Sequence, residues 1–418
     1  MLEMLYGMRE NLQLLTAILT CFLSMRFALT PILVFVLVSQ LPQCFFPGSA
    51  LLPQPMDLIV LPLASGIACT FFFDDGRRLR LESIYVVRLL GFLFLYILAS
   101  HLFVWRWEQY RQIIGLSLAL VCAATIRKPK TFWFCIVLMA FYSACVTSAF
   151  FMFARQVSSS DLYGQSVAVA NVVGDRNYKS FLISIGVVIG YLFASSSVYK
   201  SEDKSWISFL VRLMGLIGVG FCGYGLLQTQ SRGGVIVAGL SILGVALHQT
   251  RNSLIMSLIP IVLLALLINF TPSVVVDGLV SRFESSDVQG VSGRSGIWRD
   301  VISMYSRGSG VDMLLGKGAQ SVEVDLSVST HNSYLRILVD QGVLGLVAFI
   351  TLLGVVLIRA WKRKDSIGTV QFGLIVLVIG SGISLEPHYY LASWWLVLGL
   401  CAVGVKNEVF CNTQGRWA

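Results

Sequence analysis

Apolar runs of roughly twenty residues recur along the chain, and short charged connectors separate them. They fall at residues 12–41, 57–73, 83–104, 113–126, 131–154, 180–198, 207–227, 233–247, 253–270, 337–358, 367–385 and 391–405. Each is about as long as an α-helix must be to cross some 30 Å of hydrocarbon, and none shows the period-two alternation of a barrel strand. The pattern predicts an all-α polytopic membrane protein with about 12 transmembrane helices, or thirteen if Pro31 divides the first run into two short spans. One long polar stretch interrupts this pattern, from Thr271 to about Arg336. The chain therefore divides into an N-terminal helix bundle (1–270), a large loop (271–336), and C-terminal helices with a short tail (337–418).

Composition agrees with the pattern. The 418 residues are 56% hydrophobic and 13% charged, too apolar for a soluble protein with one or two cores. In a soluble protein the net charge of +9 would suggest nucleic acid, but here Lys and Arg sit mostly in short connectors, so topology explains the excess and no nucleic-acid partner is expected. Under alternating crossing, RRLR, RKPK, HQTRN and RAWKRK share one side, which the positive-inside rule makes cytoplasmic. The long loop, Arg232, the loop around Arg155 and the turn at His388 then face the opposite side. Nearly all of the nine cysteines lie inside apolar runs, where they serve as small hydrophobes, and no CxxC pair occurs. The first apolar run lacks a convincing cleavage site and reads as retained. With no P-loop and no carboxylate cluster, neither a cofactor nor a metal is expected.

The candidate chemistry gathers on the side of the loop. Arg232, in QSRGG, opens a span beside two glycines that permit close backbone approach. It is either an arginine snorkelling to the headgroups or a guanidinium fork for phosphate oxygens. Arg282 and Arg294 carry the same second possibility, against solvated charges paired with Glu284, Asp287 or Asp300. Trp298, four residues after Arg294, suggests a helix lying at the membrane interface. The glycine-rich turns GVSGRSG and LLGKG complete the loop, and His331 and Asn332 close it. His331 is either a cap for the helix that follows Thr330 or a general base, since imidazole titrates near neutral pH. His388, near Glu386, is a second and weaker candidate, and Asn332 a supporting one. Arg336 and Asp340 form an (i, i+4) pair of the kind that more often orders a helix end. His248, on the inner side, is given no role.

Two stretches carry a family resemblance: TQSRGG opening a span, and a long loop with R…GR…W…GKG that ends in HNSYLRILVDQGVLGLVAF. Over roughly residues 226–358 the chain resembles the O-antigen ligase and O-antigen polymerase superfamily of bacterial inner-membrane glycosyltransferases. The resemblance implies about a dozen spans, a large periplasmic loop, and a glycan donor carried on undecaprenyl diphosphate. The acceptor would be the lipid A core in a ligase or a second lipid-linked glycan in a polymerase, with the membrane lipid as the remaining partner. It also implies that Arg232 and one of Arg282 and Arg294 bind the diphosphate, and that His331 activates the acceptor hydroxyl without a metal. The ligase branch is the closer in the loop and its HNSYL ending.

Two other classes compete. A transporter would place ionisable groups or broken helices near the midplane and show an internal repeat, and the spans carry few such charges, although GLIGVGFCGYG would let helices pack closely or unwind. A scaffold in a polysaccharide-export complex would have no use for His331.

Overall fold

The computed structural model describes residues 81–103, 110–154, 176–195, 205–249, 294–318, 321–385 and 391–405, with isolated helical positions between 273 and 280. The spans expected at 12–41, 57–73 and 253–270, together with Arg282 and His388, lie outside the described residues.

Within the described residues the regular structure is helical. Six helices precede the loop: α1 (Leu81–Phe103), α2 (Tyr110–Thr125), α3 (Pro129–Ala154), α4 (Arg176–Ala194), α5 (Ser205–Gln228) and α6 (Arg232–Gln249). The loop folds into three short helices, α7 (Arg294–Ser306), α8 (Gly310–Leu315) and α9 (Ser321–Leu326), and the chain continues through α10 (Ser333–Lys362), α11 (Ser366–Ser384) and α12 (Ala392–Ala402). Of these, α3, α4, α5, α6, α10 and α11 are long and apolar enough to cross a membrane.

Local chemistry sets the helix ends. Pro129 opens α3, where a missing N–H costs nothing because that donor has no intrahelical partner. Asp365 caps α11 by accepting from the Gly368 N–H at 2.7 Å, and Arg363 holds the carboxylate with two bonds of 2.7 Å each.

Successive long helices alternate in direction, as α3 with α4, α4 with α5 and α10 with α11, and small residues let them close up. Where α4 meets α5, a Cβ at Gly215 would lie 2.5 Å from the Ala194 nitrogen, so the glycine run expected to permit close packing is used for that purpose. Cys122, Cys135, Cys222 and Cys401 are buried and unbridged, with Cys222 accepting from the Thr147 hydroxyl at 3.7 Å.

The packing gathers three of the basic connectors at one end of the bundle. The Gln249 side chain at the end of α6 donates to Ser195, which follows α4, at 3.0 Å. His248 lies between the Trp361 carbonyl at 3.2 Å and the Thr369 hydroxyl at 3.1 Å, and its ring stacks on Phe372. Trp133 near the start of α3 meets Phe193 near the end of α4. His248 is thus a fully engaged packing residue where α6, α10 and α11 meet. The opposite end carries the start of α6, the end of α11, the start of α10 and the folded loop.

Helix α10 is the element that joins loop to bundle. It begins at Ser333, before the sequence-predicted 337, and breaks at Gly342 (φ 67°, ψ −173°), a conformation open only to glycine. A break strips carbonyls of their intrahelical donors, and each needs another partner. The Val339 carbonyl accepts from the Lys317 N–H at 2.9 Å and the Asp340 carbonyl from the Gly318 N–H at 3.1 Å. The Gln341 carbonyl accepts from the Tyr96 hydroxyl of α1 at 2.7 Å. The LLGKG turn is therefore a docking device: a Cβ at Gly316 would lie 2.3 Å from the Asp340 oxygen, and one at Gly342 would lie 2.3 Å from the Leu314 oxygen.

The folded loop has a small core of its own, separate from the bundle's. Val301 of α7, Val322 of α9 and Val339 of α10 are buried together, with Ile297, Met304, Tyr305, Leu326 and Leu335 against them.

Candidate active site

The site grows from the first turn of α6. Ser231 precedes this helix, its hydroxyl accepting from the Gly234 N–H at 3.3 Å and donating to the Asn177 side chain of α4 at 3.0 Å. Gly234 then packs on Ser180 of α4, where a Cβ would sit 2.4 Å from the hydroxyl, and Gly233 packs on Ser384 of α11, where a Cβ would sit 2.7 Å from the hydroxyl. The two glycines after Arg232 seat the turn between two helices, so the arginine has a fixed backbone position in a half-buried place.

Ser384 and Leu385, at the end of α11, are the hub. Arg294 donates from Nη1 to the Ser384 carbonyl at 3.0 Å. The Ser333 N–H and hydroxyl both reach the Leu385 carbonyl, at 2.9 and 3.1 Å. Tyr334 donates to the Ile379 carbonyl, about one and a half turns further back, at 2.9 Å. Three predicted site segments, those of Arg232, Arg294 and His331, therefore converge on two consecutive residues of one helix end.

Trp298 ties the start of α7 to the His331 turn. Its indole N–H donates to the Thr330 carbonyl at 2.9 Å, so the residue whose type suggests an interfacial helix also joins α7 to this turn. Thr330 is buried, and its hydroxyl accepts from the Asn332 N–H at 3.1 Å. Between them His331 adopts a left-handed backbone (φ 49°).

Asn332 is the cap of α10: its side-chain oxygen accepts from the Tyr334 and Leu335 N–H groups at 2.9 and 3.1 Å. The capping role that would account for His331 blandly is filled by its neighbour, and the support Asn332 gives is to the helix. Arg336 and Asp340 pair as their spacing suggests, but Arg336 is wholly buried and also engages Glu323 of α9, while Ser321 donates to Asp340 at 2.9 Å. This network fastens α9, and the strand of chain leading to His331, against α10. Removing one partner of a buried pair typically costs about 3–5 kcal/mol, which makes Arg336 a strong fastener of the loop.

The electrostatics of this end favour an anion. Helices α4, α6, α7 and α10 begin here, and none has an acidic residue in its first turn, where acidic residues are ordinarily favoured. Arg232 and Arg294 add two positive charges to helix starts whose dipoles are already positive. Among the described residues no group of three or more His, Cys, Asp or Glu side chains could hold a metal ion. The arrangement thus brings two arginines and the His331 turn to one end of the bundle.

Sequence reasoning missed three contributors. Ser384 gives no signal beyond a serine at the end of an apolar run. Tyr96 lies some 245 residues from the carbonyl it satisfies. Gly342 has a faint signal: a Gln-Gly pair inside a helical pattern, which reads as a tolerated glycine rather than a break.

A search of curated proteins returned no match to the chain. Residues 217–350 match the family model described as O-antigen ligase, a stretch that holds Arg232, Arg282, Arg294, His331 and the break at Gly342. That match covers about a third of the chain and, beside six described helices able to cross a membrane, supports the resemblance to the O-antigen ligase and polymerase superfamily over that stretch.

Proposed function

We propose that the protein transfers a glycan from undecaprenyl diphosphate to an acceptor sugar hydroxyl at the periplasmic face of the bacterial inner membrane, and that it acts as a ligase toward the lipid A core. The observation that carries this reading is the convergence of Arg232, Arg294 and the His331 turn on Ser384 and Leu385. In the displacement, the acceptor oxygen attacks the anomeric carbon and passes its proton to the His331 imidazole. The bond from that carbon to the phosphate oxygen breaks, and the diphosphate leaves with the electron pair. Arg232, with Arg294 or Arg282, stabilises the charge that develops on it. The basic connectors at the far end of the bundle support a cytoplasmic location for that end and a periplasmic one for the site.

Guanidinium geometry gives a direct check. Arg232→Ala and Arg294→Ala should each weaken donor binding by about 1.5–3 kcal/mol, the worth of a charge-assisted bond, and lysine should restore only part because it lacks the bidentate fork. Donor titration of purified variants measures this. Wild-type affinity in both alanine variants would remove the arginines from the diphosphate.

A deletion strain separates ligase from polymerase. Lipopolysaccharide gels should lose every long chain while lipid-linked polymer accumulates. The polymerase reading, from the same superfamily, expects instead a core carrying a single repeat. Unchanged gels would overturn both.

A further inference from the structure

Among the described residues, the loop exposes an apolar face that neither the site nor the described helices cover. Helix α8 has six residues, and three are large, apolar and open: Val311 is 65% exposed, Leu314 49% and Leu315 46%. The helix is nevertheless well made. Ser309 and Asp312 form a reciprocal capping box, and the Ser309 backbone N–H and then its hydroxyl hold the Asp312 carboxyl below its ordinary value. Three aliphatic side chains shown together on one firm turn would each gain from removal from water.

Its height in the molecule says what covers it. The backbone of residues 314–318 is locked onto the break at Gly342 through the glycine contacts and the two bonds to Val339 and Asp340. From Val343 to Lys362 the chain runs as about 20 helical residues, or about 30 Å, which is the thickness of bilayer hydrocarbon. That length ends in exposed Lys362 and Lys364, with Trp361 beneath the Lys364 ammonium at 4.3 Å, an arrangement suited to the headgroup boundary. The break at Gly342 then stands at the opposite boundary, and α8 stands beside it. Val343, Leu344 and Val347, just beyond the break in α10, are exposed and apolar too.

We infer that α8 is a membrane-seated anchor, with Val311, Leu314 and Leu315 inserted among the acyl chains of the surrounding bilayer lipid, and that it fixes the depth of the His331 loop relative to the membrane. The loop is thereby held at the level where a lipid-borne substrate presents its headgroup. This role is independent of which residue performs the chemistry.

Photo-crosslinking in intact membranes tests it with the full chain. p-Benzoylphenylalanine is placed singly at 311, 314, 347 and 307, the last being an exposed arginine at the end of α7. Phospholipid adducts are expected at 311 and 314 in yields comparable to those at 347, and not at 307. Absence of phospholipid adducts at 311 and 314 while 347 reacts would overturn the anchor. Adducts there only with another protein, or only with polyprenyl diphosphate, would overturn it equally by naming a different occupant. Two probe positions keep the test readable if one substitution disturbs α8.

Discussion

Replacing His331 by asparagine should lower glycan transfer by about 100- to 10,000-fold, the usual contribution of a general base, while protein level and donor affinity stay unchanged. The local geometry makes asparagine the right substitution. His331 has a left-handed backbone, a conformation that asparagine adopts more readily than most residues, so the turn keeps its shape. The cap of α10 belongs to Asn332, so the helix start does not depend on the imidazole. Alanine at 331 should lose as much activity but would also strain the turn, and comparing the two variants separates chemistry from folding. Single-turnover transfer with saturating donor measures the loss. A fully active His331→Asn enzyme would refute the base and leave His331 as a structural element of the turn.

Gly342→Ala should disconnect the loop from the bundle. Alanine at that φ and ψ costs about 1–3 kcal/mol in backbone strain. The new methyl would also lie 2.3 Å from the Leu314 oxygen and 2.6 Å from the Gly316 nitrogen, and both are backbone atoms with no flexible side chain to move aside. Relief requires the LLGKG turn to withdraw, which breaks the bonds from Lys317 and Gly318 at roughly 1 kcal/mol each. A total on the order of 3–5 kcal/mol follows, enough to unfasten a segment whose private core holds three buried valines. Limited proteolysis should cut between Arg307 and Ser329 in the variant and spare the parent, and transfer should fall with it. An uncut loop in Gly342→Ala would show that the break is not what docks it.

Much of the bundle was legible in the sequence because a membrane span states its own requirement. About twenty apolar residues must satisfy every backbone group internally, and composition alone marks where they lie. The helices α3, α4, α5, α6 and α11 fall within a few residues of the runs read from the pattern. The gathering of RKPK, His248 and RAWKRK at one end follows from helix alternation in the same way. The family resemblance was legible through QSRGG and HNSYL, whose residues have local uses here: a serine and an asparagine that cap, and glycines that admit a neighbouring helix.

Tertiary structure decided the rest, because each remaining feature depends on a partner distant in the chain. Arg294 lies near His331 only because both segments end against Ser384 and Leu385, some fifty to ninety residues further on. Trp298, which reads as an interfacial residue by type, spends its N–H on Thr330, and no local pattern distinguishes the two uses. Gly342 is a tolerated helix glycine by propensity. It becomes a break only because Lys317, Gly318 and Tyr96 supply donors for the carbonyls that the break exposes. Sequence by itself determined which residues must be helical and apolar, since that is a demand of the solvent on each segment separately. Where arginine, histidine and glycine meet was decided by packing, which satisfies orphaned polar groups with whatever the fold brings near.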